Sequence, residues 1–597
     1  MSTKAVGIIW NLSELYESQQ SPSIEKDIDE IRSAVDKIIE DFNTLWNNDA
    51  SPEQWKELFE KLEETYEKAG RIVMYAYLLL SENTANQQAN KLFTRAQEIS
   101  SEIQNKLVPH RLKLAQLSDE KYEKLFSSDV LSNYRHFVDK ERKSRRFLLP
   151  EGEEKIINLK NLTGKQAMTK LYSEFQSSQR YEVEIDGKKK IMNESQLRAL
   201  RMHENPNLRE KAFSLLFGRL KENEIVLTNI YNSIAKDWII ENKRRGFPAP
   251  ISARNFENEV SDEIISSLIQ TTMDNNTIVQ KYYKLKAELL NVRKLKHSDI
   301  YAPIGSTKRL YSWDEAKEMV LDAMQRFDGK VASIVKDFFD GNYIHAPVLP
   351  DKRGGAFCYY VGPKTHPYVL VNFTGQLDDV MTLAHELGHG LHGVLSQKQT
   401  MLNYHTPLTM AETASVFSEM IMMDYLLEKI EDPNEKISFV ASKLEGMFAT
   451  MHRQNMFTRF EIEAHSAISE QYMTFDELSD IYRQELKNMF GNSIEYFSFS
   501  GYEWAGIPHM FHTPFYCYAY NFAQLLVISL YEKYLEEGKN FVPKYLELLS
   551  SGGSDSPEKL LEKVGVDLKD SRFWQRGFNF VERKLLTLLN TLIQERG

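Results

Sequence analysis

Cysteine is nearly absent from this chain, which has only Cys358 and Cys517 among its 597 residues. Two cysteines cannot form a disulfide framework, and such low usage favours a reducing compartment, so we predict a cytoplasmic protein. No apolar run approaches the roughly 20 residues needed to cross a bilayer, and the first residues lack a signal-peptide pattern. We therefore predict no membrane partner, and we interpret the two cysteines as small buried hydrophobic residues.

Positive charge is also in deficit, because 74 Lys and Arg residues face 85 Asp and Glu residues, for a net charge of -11. A generally basic surface for nucleic acid is absent, so we predict no nucleic-acid partner. The one dense basic run, Lys140 to Phe147, is flanked by acidic segments, and we interpret it as a solvated face. The hydrophobic fraction of 42% and the charged fraction of 27% are typical of a globular protein, and the length predicts more than one domain.

Most of the sequence carries the signals of helices. Three capping boxes, Ser51–Gln54, Ser312–Glu315 and Thr474–Glu477, place a hydroxyl three residues before a Glu or Gln. The segments that follow have apolar residues spaced three and four apart, as an amphipathic helix requires. We predict a mainly α-helical fold with a boundary near residue 200. This gives an N-terminal helical domain with a short hairpin at 1–200 and a helical domain at 201–597.

Two short stretches predict strands instead. One is a hairpin that turns at Asp186-Gly187, a dipeptide suited to a tight turn. The other has two β-prone runs, Ala356 to Tyr360 and Tyr368 to Phe373, on either side of a Gly-Pro loop. Because the second hairpin ends just before the histidine motif described next, we expect its strands to lie beside that motif.

The segment TLAHELGHGLHG contains the strongest chemical signal. His385 and His389 are four residues apart, so on a helix they share one face and can converge on one zinc ion. Glu386 projects in a neighbouring direction, which suits a general base acting on a water molecule at the metal rather than a ligand. The competing interpretation is a surface helix that carries histidines by accident, so the motif needs a third ligand nearby.

A third histidine does not complete the motif. The known three-histidine pattern requires glycine at position 392 and histidine at position 395, where this chain has His392 and Leu395. Glu412 lies 23 residues beyond His389 at the start of a predicted helix, and Glu419 follows two turns later on the same face. We predict Glu412 as the third ligand and Glu419 as the acceptor for a ligand imidazole N–H, with swapped roles as the alternative. The predicted site binds one zinc ion per chain.

The segment IPHMFHTPFYCYAYNF is rich in tyrosine and histidine. On a helix Tyr516 and Tyr520 would share a face, whereas Tyr518 would point elsewhere. A neutral tyrosine is a strong hydrogen-bond donor and suits an oxyanion, but the spacing alone favours an aromatic core stripe.

Four segments together, GGAFCYYVGPKTHPYVLVNFTG, TLAHELGHGLHG, AETASVFSE and IPHMFHTPFYCYAY, resemble the thimet oligopeptidase and oligoendopeptidase F family of zinc metallopeptidases. The likeness is specific from about Ile300 to Tyr534, with a fainter match from Arg244 to Val260. It implies a mainly helical, two-lobed metallopeptidase with a deep central channel and a small β-hairpin beside the zinc site. It also implies short oligopeptide substrates.

The resemblance further implies roles for single residues. It assigns zinc to His385, His389 and Glu412, and catalysis to Glu386. It also maps the family's oxyanion donors onto His509 and Tyr520. A second family tyrosine falls on Thr513, so either Tyr516 substitutes for it or one donor is missing. The stretch from Gly355 to Phe357 resembles the family's edge strand, which would pair with the substrate backbone.

The predicted function is thus a zinc-dependent endopeptidase that hydrolyses internal bonds of short peptides. The first alternative is a metallocarboxypeptidase of similar helical, glutamate-ligand architecture, although no Arg or Lys near these motifs is an evident site for a free substrate carboxylate. The second is a zinc-structured binding protein without catalysis, which would have no need for Glu386.

Overall fold

The structure is a computed structural model that describes residues 5–185, 187–305 and 309–596. Helices make up 72% of it, which confirms the predicted mainly α-helical class. The α-helices in chain order are α1 Pro22–Asn47, α2 Pro52–Glu82, α3 Gln87–Ala115, α4 Asp119–Leu125, α5 Arg135–Ser144, α6 Glu151–Thr163, α7 Lys165–Ser178, α8 Glu194–Ala199, α9 Pro206–Glu222, α10 Glu224–Arg245, α11 Ser252–Glu257, α12 Asp262–Asp274, α13 Asn276–Leu289, α14 Trp313–Phe327, α15 Gly329–Asp340, α16 Leu377–Ser396, α17 Ser415–Lys429, α18 Pro433–Thr450, α19 His452–Glu470, α20 Phe475–Phe490, α21 Pro508–His512, α22 Tyr518–Glu537, α23 Phe541–Ser550, α24 Pro557–Glu562, α25 Ser571–Phe580 and α26 Thr587–Arg596.

The strands are short. They are β1 Tyr181–Ile185, β2 Lys188–Met192, β3 Leu295–Lys296, β4 Ile344–His345, β5 Phe357–Tyr359, β6 Tyr368–Leu370 and β7 Ile494–Glu495. The antiparallel pairs β1–β2 and β5–β6 confirm both predicted hairpins, although Asp186 of the first turn lies outside the described residues. The parallel pairs β4–β6 and β3–β7 were not expected, because two-residue strands carry no alternation to detect.

The predicted helix starts are present where the capping boxes placed them. At α2, α14 and α20 the hydroxyl accepts a backbone N–H and the Glu or Gln side chain accepts the N–H of the capping residue. Each box satisfies two N–H groups that would otherwise lack a partner at the helix N-terminus. None of the helices in the described ranges is both long and apolar enough to span a bilayer.

The chain divides by contacts into two compact units, and each unit is assembled from three stretches of sequence. Unit 1 comprises Met1–Arg145, Lys308–Lys429 and Lys533–Val566, and unit 2 comprises Arg146–Thr307, Ile430–Glu532 and Asp567–Gly597. The linear boundary near residue 200 stays a prediction, as do the two lobes and the channel.

In unit 1, the helices α1, α2 and α3 pack against one another around an apolar core that extends to β6. The helix α16 packs against α15, α17 and α23 and against the strands β5 and β6. This arrangement confirms the expectation that a small sheet lies beside the histidine motif. In unit 2, α19 packs against α10, α12, α18 and α20, so other helices of that unit surround it.

Candidate active site

The histidine motif lies on α16, a largely buried helix. Its N-terminus is held by Asp379, whose carboxylate accepts the backbone N–H groups of Thr374 and Gln376 at 2.8 and 3.0 Å. The negative charge in this first turn also suits the helix dipole. His385 and His389 lie on one face as their spacing predicts, with ring centroids 4.9 Å apart.

A glycine allows the next segment of chain to approach this face closely. A Cβ atom on Gly388 would lie 2.6 Å from the carbonyl oxygen of Ala414, 2.6 Å from Cα of Ser415 and 2.7 Å from Oγ of Ser418. Only glycine therefore fits between α16 and the start of α17. The close approach carries Glu412, which lies in the turn just before α17, to the two histidines. The sequence predicts that this helix begins at Glu412. It begins at Ser415 instead.

The candidate ligand atoms of three residues converge in unit 1. Glu412 Oε2 lies 3.4 Å from Nε2 of His385 and 3.3 Å from Nε2 of His389, and the three atoms lie within 4.8 Å of one another. Four ligands that are each about 2.0–2.1 Å from a tetrahedral zinc lie about 3.3–3.4 Å from one another. Two neutral imidazoles and one carboxylate are also ligands that zinc accepts. The residues present therefore fit a zinc ion.

Two side chains orient these ligand atoms. Glu419 Oε1 lies 2.6 Å from Nδ1 of His385, as predicted, so Nδ1 donates to this carboxylate and Nε2 is the ring nitrogen that faces Glu412. Burial opposes protonation of this imidazole, but the hydrogen bond and charge of Glu419 outweigh it and raise the pKa of His385 to about 9. Ser415 Oγ donates to Glu412 Oε2 at 2.6 Å. The sequence reasoning missed Ser415, although its position three residues after a ligand glutamate was a usable signal.

The proposed base, Glu386, is 7% exposed. Burial raises the pKa of Glu386 above its usual value, while the imidazoles of His385 and His389 oppose the rise. The backbone N–H of Cys358 on β5 also hydrogen-bonds this carboxylate. A carboxylate with a raised pKa binds a proton more readily near neutral pH, which suits a general base. The amide of Cys358 could not be foreseen, because a backbone group has no residue signature.

Unit 2 contains the predicted donor residues in one aromatic cluster. Nε2 of His509 lies 3.3 Å from the hydroxyl of Tyr520, and the ring centroid of Tyr516 lies 5.9 Å from that of His509 and 5.3 Å from that of Tyr520. All three side chains are partly exposed. Tyr518 is buried and its hydroxyl accepts a hydrogen bond from Asn258 at 2.8 Å, so it points elsewhere as expected.

The helix expected through Tyr516 and Tyr520 is wrong. The short helix α21 ends at His512 and α22 begins at Tyr518, so Tyr516 lies in the connection between them. The helix α21 cannot continue through Phe515, whose φ of 58° is left-handed, and the next α-helix begins only at Tyr518. The two tyrosine rings meet nevertheless, because the turn brings Tyr516 back against the first turn of α22.

Comparison with known families identifies two matching segments. A family model described as "Peptidase family M3" matches residues 199–580. A second, described as "Oligopeptidase F", matches residues 113–181. The first covers well over half of the chain and includes the histidine motif, the glutamates that follow it and the aromatic cluster of unit 2.

Individual proteins are similar over nearly the whole length. An oligoendopeptidase F homolog of Borreliella burgdorferi is 27% identical, with 96% of this chain and 97% of that protein aligned. A Chlamydophila abortus protein of known structure, described as a peptidase, is 25% identical with a TM-score of 0.89 and 98% of both chains covered. Oligoendopeptidase-F from Enterococcus faecium has a TM-score of 0.71 over 96% of this chain and 99% of its own, at 22% identity. That last similarity concerns the fold alone.

Proposed function

Since the chain belongs to peptidase family M3 and is a metalloendopeptidase, we propose that it cleaves internal bonds of short oligopeptides with one bound zinc ion. We assign the zinc ion to His385, His389 and Glu412. We assign the general base to Glu386. The comparisons favour this function over the carboxypeptidase alternative, for which they offer no support.

One observation carries the metal assignment. The separations of 3.3 and 3.4 Å between Glu412 Oε2 and the two Nε2 atoms equal the edges of a zinc-sized tetrahedron. A hydrogen-bonded histidine–glutamate pair would be expected to be closer, near 2.7–2.9 Å. The same site contains such a pair, His385 Nδ1 with Glu419 Oε1 at 2.6 Å, and this contrast supports different roles for the two glutamates.

The reaction divides between the metal and the side chains of unit 1. When bound, zinc supplies Lewis acidity, which activates a water molecule and polarises the substrate carbonyl. The Glu386 carboxylate accepts the proton that the attacking water loses. It then passes that proton to the leaving nitrogen, so one residue acts first as base and then as acid. The burial of Glu386, with the backbone N–H of Cys358 beside it, would limit the positions that its carboxylate can take during both transfers.

The oxyanion donors are proposed from the family resemblance. His509 and Tyr520 would donate to the developing oxyanion, and Tyr516 is the proposed substitute for the tyrosine that Thr513 replaces. Their mutual contacts in unit 2 and their partial exposure support this role over a closed aromatic core.

The substrate backbone is proposed to pair with β5. This strand is at an edge of its sheet, because the strand order is β4-β6-β5. An extended peptide can add to such an edge through main-chain hydrogen bonds, independent of its side chains. This mode of binding suits an enzyme that acts on varied oligopeptides. We also propose that the protein works in the cytoplasm, because its scarcity of cysteine favours a reducing compartment.

The test is cleavage of quenched fluorescent peptides blocked at both ends, with and without a chelator. Glu386→Gln should keep about one zinc per chain, measured by elemental analysis, and should lose about 10²–10⁴-fold in kcat, since only the proton transfer is removed. Glu428→Gln, an exposed change on α17, is the matched control and should match the wild type.

Two results would contradict the proposal. Wild-type activity in Glu386→Gln would exclude its role as base. Failure of the wild-type protein to cut any doubly blocked peptide, together with trimming of peptides that have a free carboxyl end, would favour the carboxypeptidase alternative.

A further inference from the structure

The connection between α21 and α22 contains a strained residue next to a proposed oxyanion donor. Phe515 has a φ of 58° and is 0% exposed. A bulky L-residue in this region is strained, so the surroundings must impose the conformation. The residue that follows is Tyr516, so the turn at Phe515 sets the direction in which the tyrosine side chain leaves the backbone.

Two side chains bind the same peptide group and thereby impose this turn. The backbone N–H of Phe515 donates to Oε1 of Glu461 at 2.8 Å. The carbonyl oxygen of Pro514 accepts from Nε of Arg254 at 3.1 Å. These are the two polar groups of the single peptide bond between Pro514 and Phe515. Because both ends of one peptide plane are held, the plane cannot rotate without breaking at least one of these hydrogen bonds.

The two holding side chains are themselves fixed. Glu461 lies on α19 and is 0% exposed. The guanidinium of Arg254 lies 5.5 Å from the ring centroid of Trp238 and forms an ion pair with Glu257. Both residues belong to unit 2, as does the turn that they hold.

The same stretch of chain that carries Arg254 holds the segment a second time. Asn258 donates to the hydroxyl of Tyr518 at 2.8 Å, three residues beyond the strained turn. Arg254 and Asn258 both lie in the run from Arg244 to Val260, which resembles the family in sequence but contains no residue of the proposed chemistry. Contact with the donor segment gives this run a physical role.

The carboxyl group of Glu461 does not need a charge to accept the hydrogen bond. Burial raises the pKa of Glu461 to about 8, against the lowering effects of the Phe515 N–H and of Arg254. The other ionisable groups that interact with it are the buried Tyr231 and Cys517. Since the neutral acid still presents a carbonyl oxygen to the N–H of Phe515, glutamine is a conservative replacement and methionine removes the acceptor at similar volume.

From this geometry we propose that Glu461 and Arg254 are positioning residues, which lock the Pro514–Phe515 peptide and so orient Tyr516 for transition-state stabilisation. The inference rests on the proposed function, because it takes Tyr516 as a donor to the oxyanion. Neither residue touches the substrate in this proposal; each acts through the peptide group that it holds.

The turnover number and the Michaelis constant should respond differently. A donor that contributes only in the transition state affects kcat and leaves KM nearly unchanged. We expect Glu461→Met to lower kcat by about 10- to 100-fold, the scale of a misplaced catalytic group. Glu461→Gln should restore kcat to within about threefold of the wild type. KM should stay within about twofold in both variants.

A readout independent of activity is hydrogen exchange at the turn. In Glu461→Met the Phe515 amide loses its acceptor, so amides between Thr513 and Tyr520 should exchange at least about tenfold faster, while Glu461→Gln should keep the wild-type rate. Arg254→Met provides a second test from the other end of the peptide group. The double variant Arg254→Met/Glu461→Met should lose little more kcat than either single variant, because both side chains hold one group.

Leu486→Ala controls for a general loss of stability. Leu486 is 1% exposed on α20, in the same unit, and makes none of these hydrogen bonds. We expect this variant to melt at a lower temperature and to keep kcat within about twofold of the wild type.

The outcomes separate this inference from the proposed function. Faster exchange in Glu461→Met with kcat within twofold of the wild type overturns the positioning role and leaves the proposed function intact. Unchanged exchange in Glu461→Met overturns the claim that Glu461 holds the Phe515 amide. If the wild-type enzyme cleaves no peptide, the proposed function is wrong. The catalytic role proposed for Glu461 and Arg254 is then wrong as well.

Discussion

Replacing Gly388 by alanine should separate the ligand-bearing segments of unit 1. The new Cβ would lie 2.6 Å from both the Ala414 carbonyl oxygen and Cα of Ser415, and these are backbone atoms that cannot rotate away. The Ala414 oxygen also accepts the N–H of Ser418 in the first turn of α17, so it is not free to move alone. The change therefore has to push the start of α17 away from α16 as a unit.

The size of the effect follows from these distances. Ordinary contacts begin near 3.4 Å, so the two segments must part by about 0.8 Å. Overpacking of this kind lowers the free energy of unfolding by about 1–3 kcal/mol. The better helix propensity of alanine offsets about 1 kcal/mol of that loss. The displaced turn carries Glu412, whose Oε2 would move from 3.3–3.4 Å to about 4 Å from the two Nε2 atoms. That separation no longer fits bonds of about 2.0–2.1 Å, so we expect zinc affinity to fall by about 10- to 100-fold.

The assay is a zinc titration against a competing fluorescent chelator, together with the melting temperature of the metal-free protein. Gly446→Ala is the matched control, since Gly446 lies inside α18 and its added Cβ would meet no atom within 4 Å. We expect Gly446→Ala to bind zinc normally and to melt slightly higher, whereas Gly388→Ala should bind zinc weakly and melt lower. Wild-type zinc affinity in Gly388→Ala would refute the reasoning that this close approach builds the site.

The remaining predictions concern four acidic residues, of which two belong to the metal site. Glu412→Ala should no longer retain one zinc ion per chain after dialysis. Glu419→Gln keeps a hydrogen-bond acceptor for His385 and should weaken zinc binding by only about 10- to 100-fold. Equal loss of zinc in both variants would contradict the assignment of Glu412 as ligand and Glu419 as orienting residue. The pKa of Glu461 is raised from 4.5 to about 8 on folding, so the stability contributed by its neutral form is complete below about pH 4.5 and is lost as the pH rises through about 8. Glu461→Gln should therefore gain stability over the wild type between pH 5 and pH 9 in urea titrations, and a constant difference across that range would contradict it. Glu503 is 1% exposed and accepts a hydrogen bond from Arg453 at 2.6 Å. Glu503→Gln should leave this buried cation uncompensated and destabilise the fold by about 3–5 kcal/mol. The urea midpoint should therefore fall, and an unchanged midpoint would contradict this prediction.

The sequence predicted those parts of the molecule whose determinants are local. Helix starts were correct at the capping boxes because both partners lie within four residues of one another. The convergence of His385 with His389 follows from helix periodicity alone. Glu412 could be selected because only one loop separates its segment from α16, and consecutive elements are usually adjacent in space.

Other features depend on packing that no local pattern encodes. The close approach at Gly388 could not be deduced from sequence, because a glycine in a helix is equally consistent with an exposed position such as Gly446. The parallel strand β4 is two residues long and exists only because its partner β6 is present. The amide of Cys358 acts through its backbone, so its residue type gives no indication of its role.

Sequence separation explains why the donor segment was the hardest part to predict. Four-residue spacing favoured one helix through Tyr516 and Tyr520, and nothing between them argues against it. The turn just before Tyr516 is held by two distant side chains: Glu461, 54 residues from Phe515, accepts its N–H, and Arg254, 260 residues from Pro514, donates to its carbonyl oxygen. This conformation costs free energy locally and is imposed by distant residues. A local sequence pattern therefore cannot predict it. For the same reason it is the part of the molecule where replacement of residues outside the proposed chemistry should change kcat most.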